Sequence, residues 1–302
     1  MDLRIRVARR EARQGRPGVT PWVEPRIEWH RGVESVRHYE RLLDGAELLT
    51  RWEPAPFERT PTECFRLGDD FWIWQPGIGG IRFNTGEPSC SAFSSDAIEP
   101  ASFERLITRE WMPAVYQAWG RQVLHASAVV HAAGDRVIAF TGPSGAGKST
   151  MAYGLAQRAG WTHLADDTLA FSVDDGTVRL HPLKNDARLR PATAAYHGRA
   201  GVPAEPIAWP DRPLSLSALF VIAGDDEQTA DAVVTPLAAG ESYTRLLQEA
   251  HAFTLQVPAF NRQLMRDYLA LAAAVPVLRL TYRRSFDCMN GILDVVERNV
   301  PR

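Results

Sequence analysis

Cysteine is scarce in this chain. The three residues among 302, Cys64, Cys90 and Cys288, are widely spaced and suggest neither a disulfide framework nor a metal-ligand pattern. Inert thiols in a reducing cytoplasm are expected. No apolar run approaches the ~20 residues needed to span a bilayer. The opening Met1-Asp2-Leu3-Arg4-Ile5-Arg6 has no apolar core of the kind a secretion signal carries. The expectation is therefore a cytoplasmic protein with no membrane partner. A strong charge of either sign is also missing: 34 Lys+Arg against 36 Asp+Glu leaves a net −2, so no global pull toward nucleic acid is expected. Apolar residues make up 45% and charged residues 23%, ordinary for a globular chain long enough for one large domain or two smaller ones.

Against this plain background stands Gly142-Pro143-Ser144-Gly145-Ala146-Gly147-Lys148-Ser149, followed by Thr150. It fits G-x-x-x-x-G-K-[ST], the phosphate-binding loop. Gly142, Gly145 and Gly147 permit backbone angles and close approaches that a side chain would block. The N–H groups of the loop, Ser144 and Ala146 included, can then turn inward around phosphate oxygens. Lys148 would bring a point charge to the outer phosphates, and Ser149 a hydroxyl to Mg²⁺. The helix starting here adds its positive end. The context agrees: Val137-Ile138-Ala139-Phe140 reads as a buried strand and residues 149–159 as a helix stopped by Gly160. A Gly/Ser-rich surface turn is the bland alternative.

Along the chain, residues 1–30 are rich in Arg, Pro and Gly and read as an extended arm. Its arginines, Arg4, Arg6, Arg9, Arg10 and Arg13, suit a solvated terminus or an acidic partner. Residues 31–118 read as a small β-rich N-terminal domain of short strands and turns, with strands near 63–67, 70–74 and 80–83 and helices near 103–107 and 111–116. Residues 119–302 alternate strands and helices. Two hairpins are expected there, 125–130 with 136–140 and 168–173 with 177–180, around Ala133-Gly134-Asp135 and Asp174-Asp175-Gly176. Strands near 218–222 and 277–280 follow, with helices near 241–250, 261–274 and 288–298. Hairpins so close to the loop predict a mixed sheet.

Two features narrow the chemistry. Leu164-Ala165-Asp166-Asp167-Thr168 follows the loop helix. Paired acids at a strand end can hold Mg²⁺ with one carboxylate and take a hydroxyl proton with the other; elsewhere such a pair is usually a turn or a cap. His125, in Leu124-His125-Ala126, stands one hairpin before the loop. A lone histidine opening a strand is often structural. Here the hairpin would bring it near the phosphates.

The order Leu-His-Ala, hairpin, Gly-x-Ser-Gly-x-Gly-Lys-Ser, helix, Ala-Asp-Asp resembles the catalytic domain of the HPr serine kinase/phosphorylase family over residues 120–200. More distantly it is similar to ATP-dependent phosphoenolpyruvate carboxykinase. The resemblance implies an α/β fold: a P-loop mixed-sheet kinase domain of the HPr kinase/PEP carboxykinase type, preceded by the small β-rich N-terminal domain. It implies ATP and Mg²⁺ as cofactors and serine phosphorylation as the reaction. By motif, residues 142–150 would bind the nucleotide, Ser149 and Asp166 the metal, Asp167 would be the base, and His125 would lie by the transferred phosphate. The order of the two aspartates stays open. The family's Leu-Glu-x-Arg-Gly signature is replaced here by the run 181–191, which ends Leu189-Arg190-Pro191. In this the chain looks more like the shorter HPr-kinase-related kinases that phosphorylate lasso-peptide precursors. Lys184, Arg188 and Arg190 would then steady the γ-phosphate or grip an acidic peptide. The expected partner is a serine-containing peptide or small protein, with no nucleic acid and a homo-oligomer possible. A kinase of a small-molecule hydroxyl and a slow ATPase switch are the alternatives.

Overall fold

The computed structural model describes residues 26–52, 60–86, 88–132, 136–183, 186–187, 189–202, 205–210, 212–224, 232–251 and 257–301. It is a mixed α/β structure with two mixed sheets, and it divides into two compact units: residues 1–120 with 253–261, and residues 121–252 with 262–302.

The first unit is built on β1 (Arg26–Arg31), α1 (Val33–Leu43), β2 (Glu47–Trp52), β3 (Thr62–Leu67), β4 (Asp70–Gln75), β5 (Gly79–Asn84) and β6 (Ser89–Ser94). The sheet order is β1-β6-β5-β4-β3-β2, antiparallel except that β1 runs parallel to β6. Strand β1 starts at Arg26, inside the stretch expected as an arm; residues 1–25 lie outside the described residues. Helix α1 corrects the reading of this region as strands and turns alone. Its apolar residues Val36, Tyr39 and Leu43 recur at helical spacing. They pack on Trp72, Trp74 and Phe93, with the Tyr39 ring 4.2 Å from that of Phe93. One short apolar stripe is a faint signal; the aromatic face of the sheet makes the helix worthwhile. Then come α2 (Pro100–Leu106), with Pro100 in its first turn and its first N–H groups capped by Glu99, a π-helical turn (Ile107–Trp111) and α3 (Met112–Ala118). The two expected helices thus form one nearly continuous run.

The second unit contains β7 (Gln122–Leu124), β8 (Ala126–His131), β9 (Arg136–Thr141), α4 (Lys148–Ala156), β10 (Trp161–Ala165), β11 (Leu169–Asp174) and β12 (Thr177–His181). The small pair β13 (Asp186–Ala187) and β14 (Glu205–Pro206) flanks α5 (Pro191–Tyr196). The unit closes with β15 (Leu214–Gly224), β16 (Ala232–Pro236), α6 (Ala239–Gln248), α7 (Pro258–Ala274, from residue 262 on in this unit), β17 (Val277–Tyr282) and α8 (Met289–Arg298). Nine strands form one sheet, ordered β10-β8-β9-β15-β12-β11-β7, with β17 joined to β15 and β16 to β17. Both expected hairpins pair antiparallel, β8 with β9 and β11 with β12. Strands β9, β15 and β17 run parallel, so the sheet is mixed, as the hairpins predict.

Alternation along β8 and β9 feeds two cores. Ala128, Val130, Val137 and Ala139 join Leu246, Tyr268 and Leu271 of α6 and α7 on one face. Val129, Ile138 and Phe140 join Met151, Leu155, Ile292 and Val296 of α4 and α8 on the other. Each fully buried large side chain is worth about 1.5–3 kcal/mol, which fixes the strand register and hence the loops at the sheet's end.

The three cysteines are buried. Burial pushes the thiols of Cys64 and Cys90 up to about 12. No thiol is expected to react with an aromatic disulfide reagent in the native protein, and all three should react in denaturant. One fast native thiol contradicts this packing. Among the described residues, no helix is long and apolar enough to cross a membrane.

Candidate functional site

At one end of the nine-stranded sheet, β9, β15, β17 and β10 finish while β8 begins. Ligands of open α/β sheets bind beyond the carboxyl ends of parallel strands. Here that end collects His125, residues 142–147, Asp166, Asp167 and Tyr282.

The loop 142–147 leaves β9 at Thr141 and enters α4 at Lys148. Gly142, Gly145 and Gly147 have φ of 144°, 84° and 113°, angles L-residues avoid. Two of the glycines also face close backbone or side-chain atoms. A Cβ on Gly147 would lie 2.4 Å from Tyr282 Oη, and one on Gly142 2.9 Å from the Ile222 carbonyl oxygen. Tyr282 Oη donates to the Ala146 carbonyl at 2.7 Å, tying the loop to β17. Gly147→Ala is therefore expected to cost at least about 1–2 kcal/mol from the backbone angle alone. Adding Tyr282→Phe should recover part of the loss, as read by thermal melts. An unchanged melting temperature for Gly147→Ala contradicts this geometry.

Lys148 is buried, and its Nζ donates to the carbonyls of Gly142 (2.7 Å) and Pro143 (3.2 Å). Burial lowers its pKa; nearby Glu249, Asp167 and Asp166 oppose this. Behind it, Ser127 Oγ donates to Asp166 Oδ1 at 2.7 Å and lies 3.5 Å from Ser149 Oγ. Thr150 Oγ1 is 2.9 Å from Thr193 Oγ1 on α5. Just before α5, Arg190 Nη2 donates to Ser144 Oγ at 3.3 Å. Arg190 and Arg284 line a cleft of about 420 Å³ with Pro143, Gly145, Ile222 and Ala223.

The two aspartates differ sharply. Asp166 is 3% exposed, whereas the Asp167 side chain is 54% exposed. Asp167 sits at φ 69° and its Oδ1 is 3.2 Å from His125 Nε2. His125 occupies the break between β7 and β8, where the chain changes strand partners, and its carbonyl accepts from Thr141 Oγ1 at 2.9 Å. The hydrogen bond with Asp167, then that with Glu249, raises the His125 pKa against the effect of burial. An imidazole so placed stays charged to higher pH than a free one.

Of the residues singled out in the sequence, His125, Ser144, Lys148, Ser149, Asp166, Asp167 and Arg190 come together here with Gly142, Gly145, Ala146, Gly147 and Thr150. Arg188 and Lys184 lie outside the described residues. Sequence reasoning missed Ser127, Glu249, His251, Tyr282 and Arg284. Ser127 had a usable signal, because strand periodicity puts it two residues after His125 on the hairpin. Glu249 and His251 had none, being far away in sequence. Oxygen donors such as Asp166 and Ser149 suit a hard divalent cation that takes its other ligands from phosphates and water. Among the described residues, no group of three or more His, Cys, Asp or Glu could hold a metal alone.

No family model and no curated protein matches the chain. Among solved structures it is similar to the HPr(Ser) kinase/phosphatase from Coxiella burnetii, with 12% identity and a TM-score of 0.34 over 59% of this chain and 95% of that one.

Proposed function

We propose that this protein is an ATP- and Mg²⁺-dependent serine kinase, acting on a peptide or small protein of the ribosomal-peptide-precursor class. The observation that carries the reading is the division of labour between neighbouring carboxylates: buried Asp166 beside Ser127 and Ser149, and accessible Asp167 on His125. The glycine loop, with three glycines at positive φ and its place at the start of α4, suits phosphate oxygens, although the Ala146 N–H donates to the Pro143 carbonyl and not inward as expected. Ser149 and Asp166 are the residues to hold the metal, and the bound Mg–nucleotide supplies the phosphoryl group with its charge partly neutralised.

The chain's own residues do the rest. Lys148, whose Nζ rests on the Gly142 and Pro143 carbonyls, would hold the outer phosphates of a bound nucleotide. Asp167 would orient the serine hydroxyl and accept its proton while the phosphoryl group passes to the serine oxygen and the nucleotide diphosphate leaves. His125, when protonated, and Arg190 would offset the negative charge of the transferring group. Arg284, lining the same cleft as Arg190, adds to the positive field there.

The test is incubation with Mg²⁺, γ-labelled ATP and three acceptors: HPr, a serine-bearing precursor peptide and free serine. Phosphoserine on the peptide is the expected product. Label only on free serine makes the protein a small-molecule kinase. Phosphate release without a labelled acceptor contradicts the kinase reading.

A further inference from the structure

The turn that closes α6 carries none of the motifs, yet it reaches the site. His125 N donates to the Glu249 carbonyl at 2.9 Å, His251 N donates to the Val123 carbonyl at 3.0 Å, and Leu124 and Ala250 form an antiparallel bridge. Residues 249–251 are thus a short strip pinned along the end of β7, directly beside His125. These backbone bonds fix where the side chains of the strip stand relative to His125.

Two of those side chains face the His125–Asp167 pair. Glu249 Oε2 is 3.5 Å from His125 Nδ1, and the Glu249 side chain is only 13% exposed. A carboxylate at a helix end with no task would turn to water; this one stays in, within the field of Lys148. The ring of His251 lies 5.2 Å from that of His125 and close to the Asp167 backbone. Asp167 sits at φ 69°, a left-handed conformation that aspartate tolerates better than most residues other than glycine. Among the described residues, Asp167, Glu249, His251 and Lys148 are titratable groups that act on His125.

We propose that Glu249 is a positioning residue: its carboxylate holds His125 through Nδ1, so that Nε2 is presented to Asp167, while His251 on the same strip supports Asp167. The inference rests on the phosphoryl-transfer reading for its consequence in catalysis, but not for the contact itself. Partners that orient metal-bound histidines are worth about 10- to 100-fold in activity, and the same scale is expected for this contact. A carboxylate on Nδ1 also settles which ring nitrogens carry protons, as the orienting acid of a catalytic triad does. Glutamine at this position keeps an acceptor oxygen for Nδ1–H and loses the charge; alanine loses both.

The experiment uses the full chain labelled with ¹⁵N-histidine, first without nucleotide. The Nδ1 and Nε2 resonances of His125 are compared in wild type, Glu249→Ala and Glu249→Gln, with thermal melts as a check on folding. The His125 signals should move in Glu249→Ala and stay closer to wild type in Glu249→Gln. With ATP and acceptor, kcat should fall about 10- to 100-fold in Glu249→Ala, with KM for ATP little changed and a substantial part of the rate restored in Glu249→Gln. Unchanged His125 resonances in Glu249→Ala overturn the inference, whatever the rate does. So does a wild-type kcat in that variant. If wild type itself transfers no phosphate while the resonances shift as expected, the positioning contact stands and the kinase reading is what fails.

Discussion

Asp167→Asn is expected to slow phosphoryl transfer by about 10²- to 10⁴-fold, the range a positioned acid or base carries, while the protein stays folded. The conformation of Asp167 makes this a clean substitution. Its φ of 69° is one that asparagine adopts readily and alanine does not. The side chain is largely exposed, so the change buries no new polar group. The amide oxygen can still accept from His125 Nε2, but it cannot take a proton from a hydroxyl. Loss of the Asp167 carboxylate also removes the largest influence raising the His125 pKa. The stabilisation from that ion pair is present below the unfolded histidine pKa and fades as pH rises through the raised folded value. The variant should therefore lose a little stability at mildly acidic pH and less at alkaline pH. Initial rates and melts across pH check both statements. Transfer at the wild-type rate removes Asp167 from the reaction.

Lys148→Ala is expected to lower transfer by about 10²- to 10³-fold, the scale of a preorganised electrostatic contact, and to weaken nucleotide binding. In this structure the ammonium is satisfied by two carbonyls of its own loop, which keeps it at the loop proposed to bind the nucleotide. Alanine leaves those carbonyls without that donor and takes a positive charge from a site that also holds Asp166, Asp167 and Glu249. The composition offers an unusually direct probe. Among 34 basic residues only Lys148 and Lys184 are lysines. An acyl-phosphate analogue of ATP should acylate Lys148, with excess ATP protecting it, and peptide mapping separates the two sites. Labelling that ATP does not suppress contradicts a phosphate-facing Lys148.

Much of the second unit was legible because its signals are local. The loop needs three glycines at φ values other residues avoid, and the two hairpins announce themselves by turn residues between apolar runs. The first unit was less legible. Helix α1 packs through Val36, Tyr39 and Leu43, and its stability comes from Trp72, Trp74 and Phe93, which lie far along the chain. Strand β10 was missed for a related reason: Trp161-Thr162-His163-Leu164-Ala165 gains its structure by pairing with β8. In the site, motif spacing singled out His125, Lys148 and the two aspartates. It could not separate the aspartates, since burial is set by what packs around them. Nor could it find Glu249 and His251, which arrive through backbone bonds to residues 123–125. Local motifs mark the groups of the proposed chemistry; the groups that orient them come from topology.

The most direct measurement is stoichiometry: phosphoserine formed per ADP produced, followed by mass spectrometry with the acceptor peptide in excess. A ratio near one in wild type, with both products suppressed in Asp167→Asn, is the expected result. ADP accumulating with a ratio near zero would mean that water, not a serine hydroxyl, receives the phosphoryl group, and would contradict the kinase assignment.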